Sequence, residues 1–228
     1  DEGRRKDVIF TDALCTETSF EKRVEFIKYK IGSMNLHDIE CKAEISPVVV
    51  MADLTPQEIF KYVDLTAVKP NAGIKDIEAL CQRALEKKCF GVCVNQVYAA
   101  DAKKILLNSP LRVVSTIDFP FGCSTAESKS FQAIKALESG ADELDMVINI
   151  SLLKSGRYAQ VYDEIAKVVE IAQDKPVKVI IETCFLKDEE KVVACLLAKK
   201  AGAAFIKTST GFGSGGADVR DIKLIREI

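Results

Sequence analysis

Short apolar segments alternate with helical patterns six times between residue 55 and the end of the 228-residue chain, and this alternation constrains the fold most strongly. Segments such as FGVCVN (90–95) and VKVIIET (177–183) are almost entirely apolar. Such segments are typical of parallel strands that are covered on both faces, whereas half-exposed hairpins alternate between apolar and polar residues. The repeated strand and helix units therefore predict an α/β fold with a parallel sheet, as either a doubly wound sheet or a (β/α)8 barrel.

Six strands and six helices follow from these patterns. Strands are predicted at 62–66, 90–95, 111–119, 143–149, 177–183 and 205–209. Helices are predicted at 74–88, 97–108, 125–139, 158–174, 188–200 and 218–227. Local signals agree with these boundaries: the segment TPQE (55–58) has the composition of a capping box with proline at the first helical position. Gly140 and Gly202 follow predicted helix ends, as glycines that terminate helices do.

The first 54 residues lack this alternation, and we interpret them as an N-terminal helical extension packed on a main domain of residues 55–228. Within the extension, residues 19–31 place four apolar side chains on one stripe, which is typical of an amphipathic helix.

The charge and cysteine pattern narrows the function. The net charge is −2 and no basic tract is present, which argues against nucleic acid and membrane surfaces as partners. No apolar run approaches the ~20 residues of a membrane-spanning helix, and residues 1–6 lead into no apolar signal-peptide region. The eight cysteines form no C-x-x-C pair, which argues against a zinc site. Together these features favour a cytoplasmic protein with reduced thiols.

The single histidine, His37, excludes histidine-based metal clusters. It lies in a polar stretch far from any predicted strand end, so we do not expect a Ser-His-Asp triad. Neither a Walker A motif nor a G-x-G-x-x-G motif that opens a helix after a strand occurs. Acid and base chemistry therefore falls to carboxylates, lysines, tyrosines or water, and we predict no metal and no cofactor.

Charged residues stand in or at the ends of four predicted strands, where parallel α/β folds place their sites. These residues are Asp64, Asp145, Lys178, Glu182 and Lys207. Neighbouring strands lie ~4.8 Å apart, so inward-facing side chains on them can approach closely. The alternative for each carboxylate is a structural ion pair or a helix cap.

Lys207 follows the apolar run AAFI (203–206) and begins a polar, glycine-rich stretch. Burial disfavours the charged form of lysine, so we expect a lowered pKa and a nucleophilic neutral amine near pH 7. An inward Lys178 on an adjacent strand would lower the pKa of Lys207 further. The alternative is a lysine whose amine simply extends from the strand end to water.

Four glycines at 211, 213, 215 and 216 follow Lys207 and precede the last predicted helix. Backbone amides at such a turn favour an anion. Glycine-rich loops are common after strands, so this segment alone is not a specific phosphate motif.

Six segments together resemble the deoxyribose-phosphate aldolases, a family of class I aldolases. They are YVDLTAVKPNA (62–72), GVCVNQVYA (91–99), VSTIDFPFG (114–122), GADELDMVINISLLKSGRY (140–158), VKVIIETCFLKDEEKV (177–192) and AGAAFIKTSTGFGSGGA (201–217). The resemblance covers roughly residues 55–228 in unbroken order, and its last three segments are highly specific.

The resemblance implies a (β/α)8 barrel that cleaves 2-deoxy-D-ribose 5-phosphate reversibly to acetaldehyde and D-glyceraldehyde 3-phosphate without a metal. It implies that Lys207 forms the Schiff base and that Asp145 takes part in proton relay. Asp64, Lys178 and Thr208 match positions of the substrate pocket, and Gly211 matches the start of a phosphate-binding loop. The implied partners are a small phosphorylated sugar and further copies of the chain, as a homodimer or a larger homo-oligomer.

One part of the family pattern is not matched. The sequence ends at Ile228, in the helix after the sixth predicted strand, whereas a closed barrel of this type needs eight strands. The family's seventh strand carries a second lysine in K-x-[SA]-G-G-[IV]-R, and its eighth carries G-[AT]-S; neither motif occurs in this sequence. Three interpretations are open: a C-terminal segment follows, which we favour; the chain is a truncated, inactive homologue; or another chain completes the barrel. If nothing follows, Lys178 is the obvious cation to replace the second lysine.

We therefore carry three functional hypotheses. The first is the Schiff-base aldolase just described. The second is a catalytically impaired aldolase-like barrel that acts as a binding or scaffold protein, with residues 1–54 as the candidate binding segment. The third is another Schiff-base lyase on the same scaffold.

Overall fold

The structure of the protein is a computed structural model that describes residues 54–228. The predicted helix at 19–31 and nearly all of the predicted extension lie outside the described residues. None of the helices among residues 54–228 is both long and apolar enough to cross a membrane.

The described residues form one parallel sheet of six strands in the order β1-β2-β3-β4-β5-β6. The strands are β1 (Asp64–Ala67), β2 (Gly91–Val94), β3 (Arg112–Ile117), β4 (Glu143–Val147), β5 (Val177–Ile180) and β6 (Phe205–Lys207). The helices are α1 (Pro56–Ile59), α2 (Ile74–Lys87), α3 (Ala99–Ile105), α4 (Ala126–Glu138), α5 (Ile150–Lys154), α6 (Tyr158–Ala172), α7 (Asp188–Lys200) and α8 (Val219–Arg226). The six predicted strands and six predicted helices are therefore confirmed as elements.

The structure differs locally from the sequence prediction in three places. The first strand begins at Asp64, because a 3-10 turn at Phe60–Tyr62 precedes it. The helix predicted at 97–108 is divided into a 3-10 turn at Gln96–Tyr98 and the shorter α3. The sequence prediction also missed α5, a five-residue helix that Asn149 caps by accepting a hydrogen bond from the Leu152 amide.

The sheet curls strongly, as the strands of a barrel do. Lys178 on β5 places its Nζ 3.3 Å from Oδ2 of Asp64 on β1, although three strands separate β1 from β5. The predicted (β/α)8 fold is confirmed as a fold class: the described residues supply six of its strands, with helices on the convex face.

Two apolar clusters lie between the sheet and the helices. The larger one joins strands β3 to β5 to α4, α6 and α7, and includes Leu144, Ile165 and Leu197 with no exposed surface. The smaller one joins β2 and β3 to α2 and α3. Cys81 and Cys195 contribute to these clusters as small, almost fully buried side chains.

Candidate active site

Charged side chains from four strands meet on the concave face of the curled sheet. Strand register explains the convergence: Asp145 on β4 aligns with Lys178 on β5, and Ile180 on β5 aligns with Lys207 on β6. Residues aligned in a parallel sheet point to the same face, and side chains two residues apart in a strand also share a face. Asp145, Lys178 and Lys207 therefore face the same interior space.

The shortest contact at the centre of the site joins Lys207 to Asp145. Nζ of Lys207 lies 2.6 Å from Oδ2 of Asp145, so the ammonium donates a charge-assisted hydrogen bond. Asp145 has no exposed surface, whereas one third of the Lys207 side chain is exposed. The thiol of Cys93, on β2, lies 3.9 Å from the same carboxylate oxygen. The Lys207 side chain is therefore partly exposed while its counter-ion is enclosed.

Lys178 is held by three carboxylates. Its Nζ lies 3.3 Å from Asp64 and 3.4 Å from Asp145, and it donates a hydrogen bond to Glu143. Burial alone would lower the pKa of Lys178, but the attraction of Asp145, Asp64 and Glu143 outweighs burial and raises it above the usual lysine range. Lys178 is thus a fixed positive charge whose donors already have partners.

Glu143 is the charged member of the site that the sequence analysis missed. It lies at the start of β4, is 1% exposed, and accepts hydrogen bonds from Lys178 and, at 3.5 Å, from Arg112. The available signal was its spacing, because Glu143 lies two residues before Asp145 and therefore shares its face of the strand.

The expected lowering of the pKa of Lys207 is wrong for this structure. Burial favours the neutral amine, and the Lys178 ammonium acts in the same direction. The attraction and the hydrogen bond of Asp145, together with the nearby Cys93 sulfur, outweigh both effects, so the pKa of Lys207 is raised. The neighbouring strand β5 does bring Lys178 close to Lys207, as expected, but the Asp145 carboxylate of β4 lies in direct contact with it. The resting state is therefore an ammonium–carboxylate pair.

Two carboxylate oxygens in the site keep hydrogen-bonding capacity. Oδ1 of Asp64 and Oδ1 of Asp145 are buried and accept no hydrogen bond within the part of the chain that is described. The Asp145 oxygen has only the 3.4 Å ion contact with Lys178. These two atoms are therefore enclosed acceptors without a donor in the described chain, on carboxylates that the Lys178 ammonium contacts.

The remaining predicted residues, Thr208 and Gly211, lie in the loop that follows β6. The carbonyl of Thr208 accepts a hydrogen bond of 2.8 Å from the Thr183 amide, which ties this loop to the end of β5. Gly211 adopts φ of +84°, which side chains rarely permit, and a Cβ there would meet no atom within 4 Å. The loop therefore presents open backbone at Gly211, next to the strand that carries Lys207.

A second buried charge cluster supports the neighbouring loops. Lys129 on α4 has no exposed surface, and its Nζ lies 2.6 Å from Oε2 of Glu164 on α6 and 3.6 Å from Oδ2 of Asp118. It also donates to the carbonyl of Val147 at 3.3 Å, and Asn149 donates to the other oxygen of Glu164 at 3.3 Å. This cluster fixes the ends of β3 and β4, close to Asp145, and the sequence analysis did not predict it.

Among residues 54–228, no group of three or more histidine, cysteine, aspartate or glutamate side chains is arranged to hold a metal ion. The described carboxylates of the concave face surround Lys178 instead.

Comparison with known proteins gives consistent results. Residues 58–226 match the model of the DeoC/LacD family aldolases. The chain is 51% identical over 179 residues to the deoxyribose-phosphate aldolase of Thermococcus kodakarensis, a match that covers 77% of this chain and 80% of that protein. It is 45% identical over 185 residues to the deoxyribose-phosphate aldolase of Thermotoga maritima, covering 81% of this chain and 74% of that protein.

Solved structures with this fold include an aldolase named QR15, with a TM-score of 0.72 and 35% identity over 75% of this chain and 76% of that one. The deoxyribose phosphate aldolase of Aeropyrum pernix has a TM-score of 0.70 over 92% of this chain and 80% of that one, at 24% identity, and so shares the fold.

Proposed function

Because the chain belongs to the DeoC/LacD family of aldolases, we propose that it acts as a deoxyribose-phosphate aldolase. The reaction is the reversible cleavage of 2-deoxy-D-ribose 5-phosphate to acetaldehyde and D-glyceraldehyde 3-phosphate. The observation that carries this proposal is the contact between Lys207, a partly exposed lysine at the end of β6, and the enclosed Asp145 carboxylate of β4, 2.6 Å apart. A Schiff-base lyase needs both groups, one to attack a carbonyl and one to move protons.

The resting ion pair sets the first step. Lys207 must lose a proton before it can attack, and Asp145 lies close enough to receive it directly. The neutral amine of Lys207 then attacks the aldehyde carbon of the open-chain sugar to form a carbinolamine. Asp145 returns its proton to the carbinolamine hydroxyl, which leaves as water to give an iminium and restores the carboxylate. The positive iminium nitrogen remains beside the Asp145 carboxylate, which stabilises it.

Bond cleavage follows from the electron demand of the iminium. A base removes the proton of the C3 hydroxyl, the C2–C3 bond breaks, and its electron pair moves toward the iminium nitrogen to give an enamine on Lys207. We assign the base to Asp145, acting with water, because it is the carboxylate that contacts the Lys207 amine, at 2.6 Å. D-glyceraldehyde 3-phosphate then leaves. Protonation of the enamine carbon and hydrolysis release acetaldehyde and regenerate the amine.

The other predicted residues support binding in this proposal. We assign Asp64 to the lining of the sugar pocket, because its Oδ2 lies 3.3 Å from Lys178, beside the reacting pair. Thr208 and Gly211 lie in the loop that we assign to the phosphate group. Lys178 contributes mainly its positive charge, because three carboxylates already surround its ammonium group.

Reductive trapping tests the proposal. Sodium borohydride added during turnover of 2-deoxy-D-ribose 5-phosphate is expected to convert the acetaldehyde-derived iminium to an N-ethyl lysine on the peptide that contains Lys207. Lys207→Ala is expected to abolish both the adduct and turnover, whereas Lys135→Ala, which removes an exposed lysine of α4, leaves both unchanged. An adduct that persists in Lys207→Ala contradicts the assignment.

The same preparation separates the alternatives. The scaffold hypothesis predicts no release of D-glyceraldehyde 3-phosphate from the sugar phosphate, and it is not favoured by relatives of about 50% identity that are named aldolases. Another Schiff-base lyase would be trapped by borohydride only with a different aldehyde donor.

The cytoplasmic location and the homo-oligomer remain proposals. The six cysteines of the described residues are all free, which supports a reducing location. Val97, Phe121 and Phe131 are exposed by 74%, 75% and 61%, which supports burial of apolar surface between copies. Light scattering of the full chain checks the second proposal, and Phe131→Ser is expected to shift the mass toward the monomer.

A further inference from the structure

Glu182 is a buried charge that the reaction outlined above does not use. It lies just after β5 and is 2% exposed. None of the lysines and arginines among residues 54–228 lies within ion-pair distance of it. A buried carboxylate without a cation is unfavourable unless several hydrogen bonds replace its water.

The backbone of Glu182 is also strained. Its φ and ψ are +49° and +68°, the left-handed region that residues with a Cβ rarely adopt. Such strain persists only where the surrounding structure imposes it, and it is concentrated at functional sites. Burial, missing countercharge and strain thus coincide at one residue.

The glycine-rich loop wraps around this carboxylate. Oε2 of Glu182 accepts hydrogen bonds from both the amide and the hydroxyl of Thr210, the amide at 3.2 Å. On the other side, a Cβ on Gly213 would lie 3.1 Å from Cδ of Glu182 and 2.6 Å from Sγ of Cys184. The loop at 210–213 therefore bends around the carboxylate, and only glycine allows the close approach at Gly213.

The bend determines which loop amides have acceptors. Because the Thr210 hydroxyl donates its proton to Glu182, its oxygen is free to accept the Phe212 amide at 3.0 Å. The amides of Gly211 and Gly213 donate to no acceptor within the described residues. Two amides on a bent glycine-rich loop provide donors for a phosphate oxygen.

We infer that Glu182 is a positioning residue, whose carboxylate bends the loop after β6 so that its amides can bind the 5-phosphate of the substrate. This inference rests on the proposed function. Glu182 does not touch the reacting atoms in this role, so it acts on phosphate recognition and leaves the chemistry at Lys207 unchanged.

The test compares 2-deoxy-D-ribose 5-phosphate with 2-deoxy-D-ribose, which lacks the phosphate, in four variants. Glu182→Gly removes the carboxylate and relieves the strained backbone. Glu182→Asn also tolerates the left-handed conformation, but its side chain is one methylene too short to hold Thr210. Glu182→Gln keeps an acceptor oxygen at full length. Glu138→Gln, an exposed carboxylate at the end of α4, is the control.

The preference for the phosphorylated sugar, as a ratio of kcat/KM values, is expected to fall about tenfold or more in the Gly and Asn variants, because hydrogen bonds to a charged acceptor are lost. The fall is expected in KM, with kcat for 2-deoxy-D-ribose within about threefold of the parent. Glu182→Gln is expected to retain most of the preference, and Glu138→Gln all of it. Inhibition by inorganic phosphate is expected to weaken in the same order.

Three results overturn the inference: equal losses on both sugars, an unchanged preference in Glu182→Gly, or equal behaviour of the Asn and Gln variants. If Glu182→Gly does not fold, as judged by circular dichroism, the comparison of Asn with Gln decides. Failure of the proposed function is a separate outcome, because the parent protein would then cleave neither sugar.

Discussion

Replacement of Lys129 by methionine is expected to lower the free energy of unfolding by about 3–5 kcal/mol, the usual loss when one partner of a buried ion pair is removed. Lys129 has no exposed surface and contacts Glu164 at 2.6 Å and Asp118 at 3.6 Å. Methionine has nearly the same length and volume, so the cavity contribution to this loss is small.

The size of this loss depends on the hydrogen bonds that Glu164 and Asp118 retain in the variant. Without Lys129, Glu164 retains only the Asn149 amide at 3.3 Å, although it is 5% exposed. Asp118 retains the Ser124 amide at 2.9 Å, so it is less affected. The dominant loss is therefore one buried, uncompensated negative charge at Glu164. The carbonyl of Val147 also loses a donor at 3.3 Å, which contributes about 1 kcal/mol.

Urea unfolding followed by circular dichroism measures this loss, with Lys135→Met as the matched control. Lys135 lies on the same helix, α4, and pairs with Glu138 at 2.7 Å, but half of its side chain is exposed. Exposed pairs of this kind contribute about 0.5 kcal/mol or less, so the control is expected to change little. Adding Glu164→Gln to Lys129→Met removes the uncompensated charge and is expected to restore about 2 kcal/mol.

A loss below about 1 kcal/mol for Lys129→Met, or one equal to that of Lys135→Met, refutes the reasoning. If Lys129 neutralises Glu164, its removal must destabilise the folded state by more than this. A double variant that is no more stable than Lys129→Met also contradicts it, since the loss would then come from packing.

Two further predictions concern the site and its loop. Because the pKa values of Lys178 and Lys207 are raised above 10.5, both residues stabilise the folded state fully below that pH. That stabilisation is lost as the pH rises through the raised values, so the urea midpoint is expected to fall above about pH 10.5 and a flat profile would contradict the assignment. Gly213→Ala places a Cβ 2.6 Å from the Cys184 sulfur and is expected to lower kcat/KM about tenfold or more. Gly216→Ala, whose Cβ meets nothing within 4 Å, is expected to leave kcat/KM unchanged; equal effects of the two substitutions would exclude a steric cause.

The fold could be predicted from the sequence because each strand is an apolar run bounded by turn residues. The prediction at 177–183 begins at the observed first residue of β5, and that at 205–209 begins at the first residue of β6. The helix α5 was missed because five residues do not show a helical period. Its start depends on a single Asn149 side chain, the last residue of the strand predicted at 143–149.

The candidate site could be predicted from the sequence only in part. The sequence predicted Asp145, Lys178 and Lys207 in or at the ends of strands, where such a fold places its site, and the structure brings them together. The distances between these side chains could not be predicted from the sequence, and those distances determine the charge state of Lys207. Lys129 was missed for a different reason: its partners Glu164 and Asp118 lie in other elements, and no periodicity in the sequence connects them.

The raised pKa of Lys207 has two opposite consequences for the proposed chemistry. It reduces the fraction of neutral amine near pH 7, which slows the attack on the aldehyde. The same Asp145 carboxylate, however, stabilises the iminium that follows in the proposed mechanism, because the nitrogen is again cationic. If Asp145 stabilises the resting ammonium and the iminium equally, it does not lower the barrier between these two states. Only a stronger interaction with the transition state lowers that barrier. Asp145 therefore contributes to the rate mainly by accepting and returning protons. A substrate that displaces the Lys207 ammonium from Asp145 as it binds would remove the attraction that raises the pKa of Lys207, so that the ammonium releases its proton to water more readily and the Asp145 carboxylate stays free to act as the base.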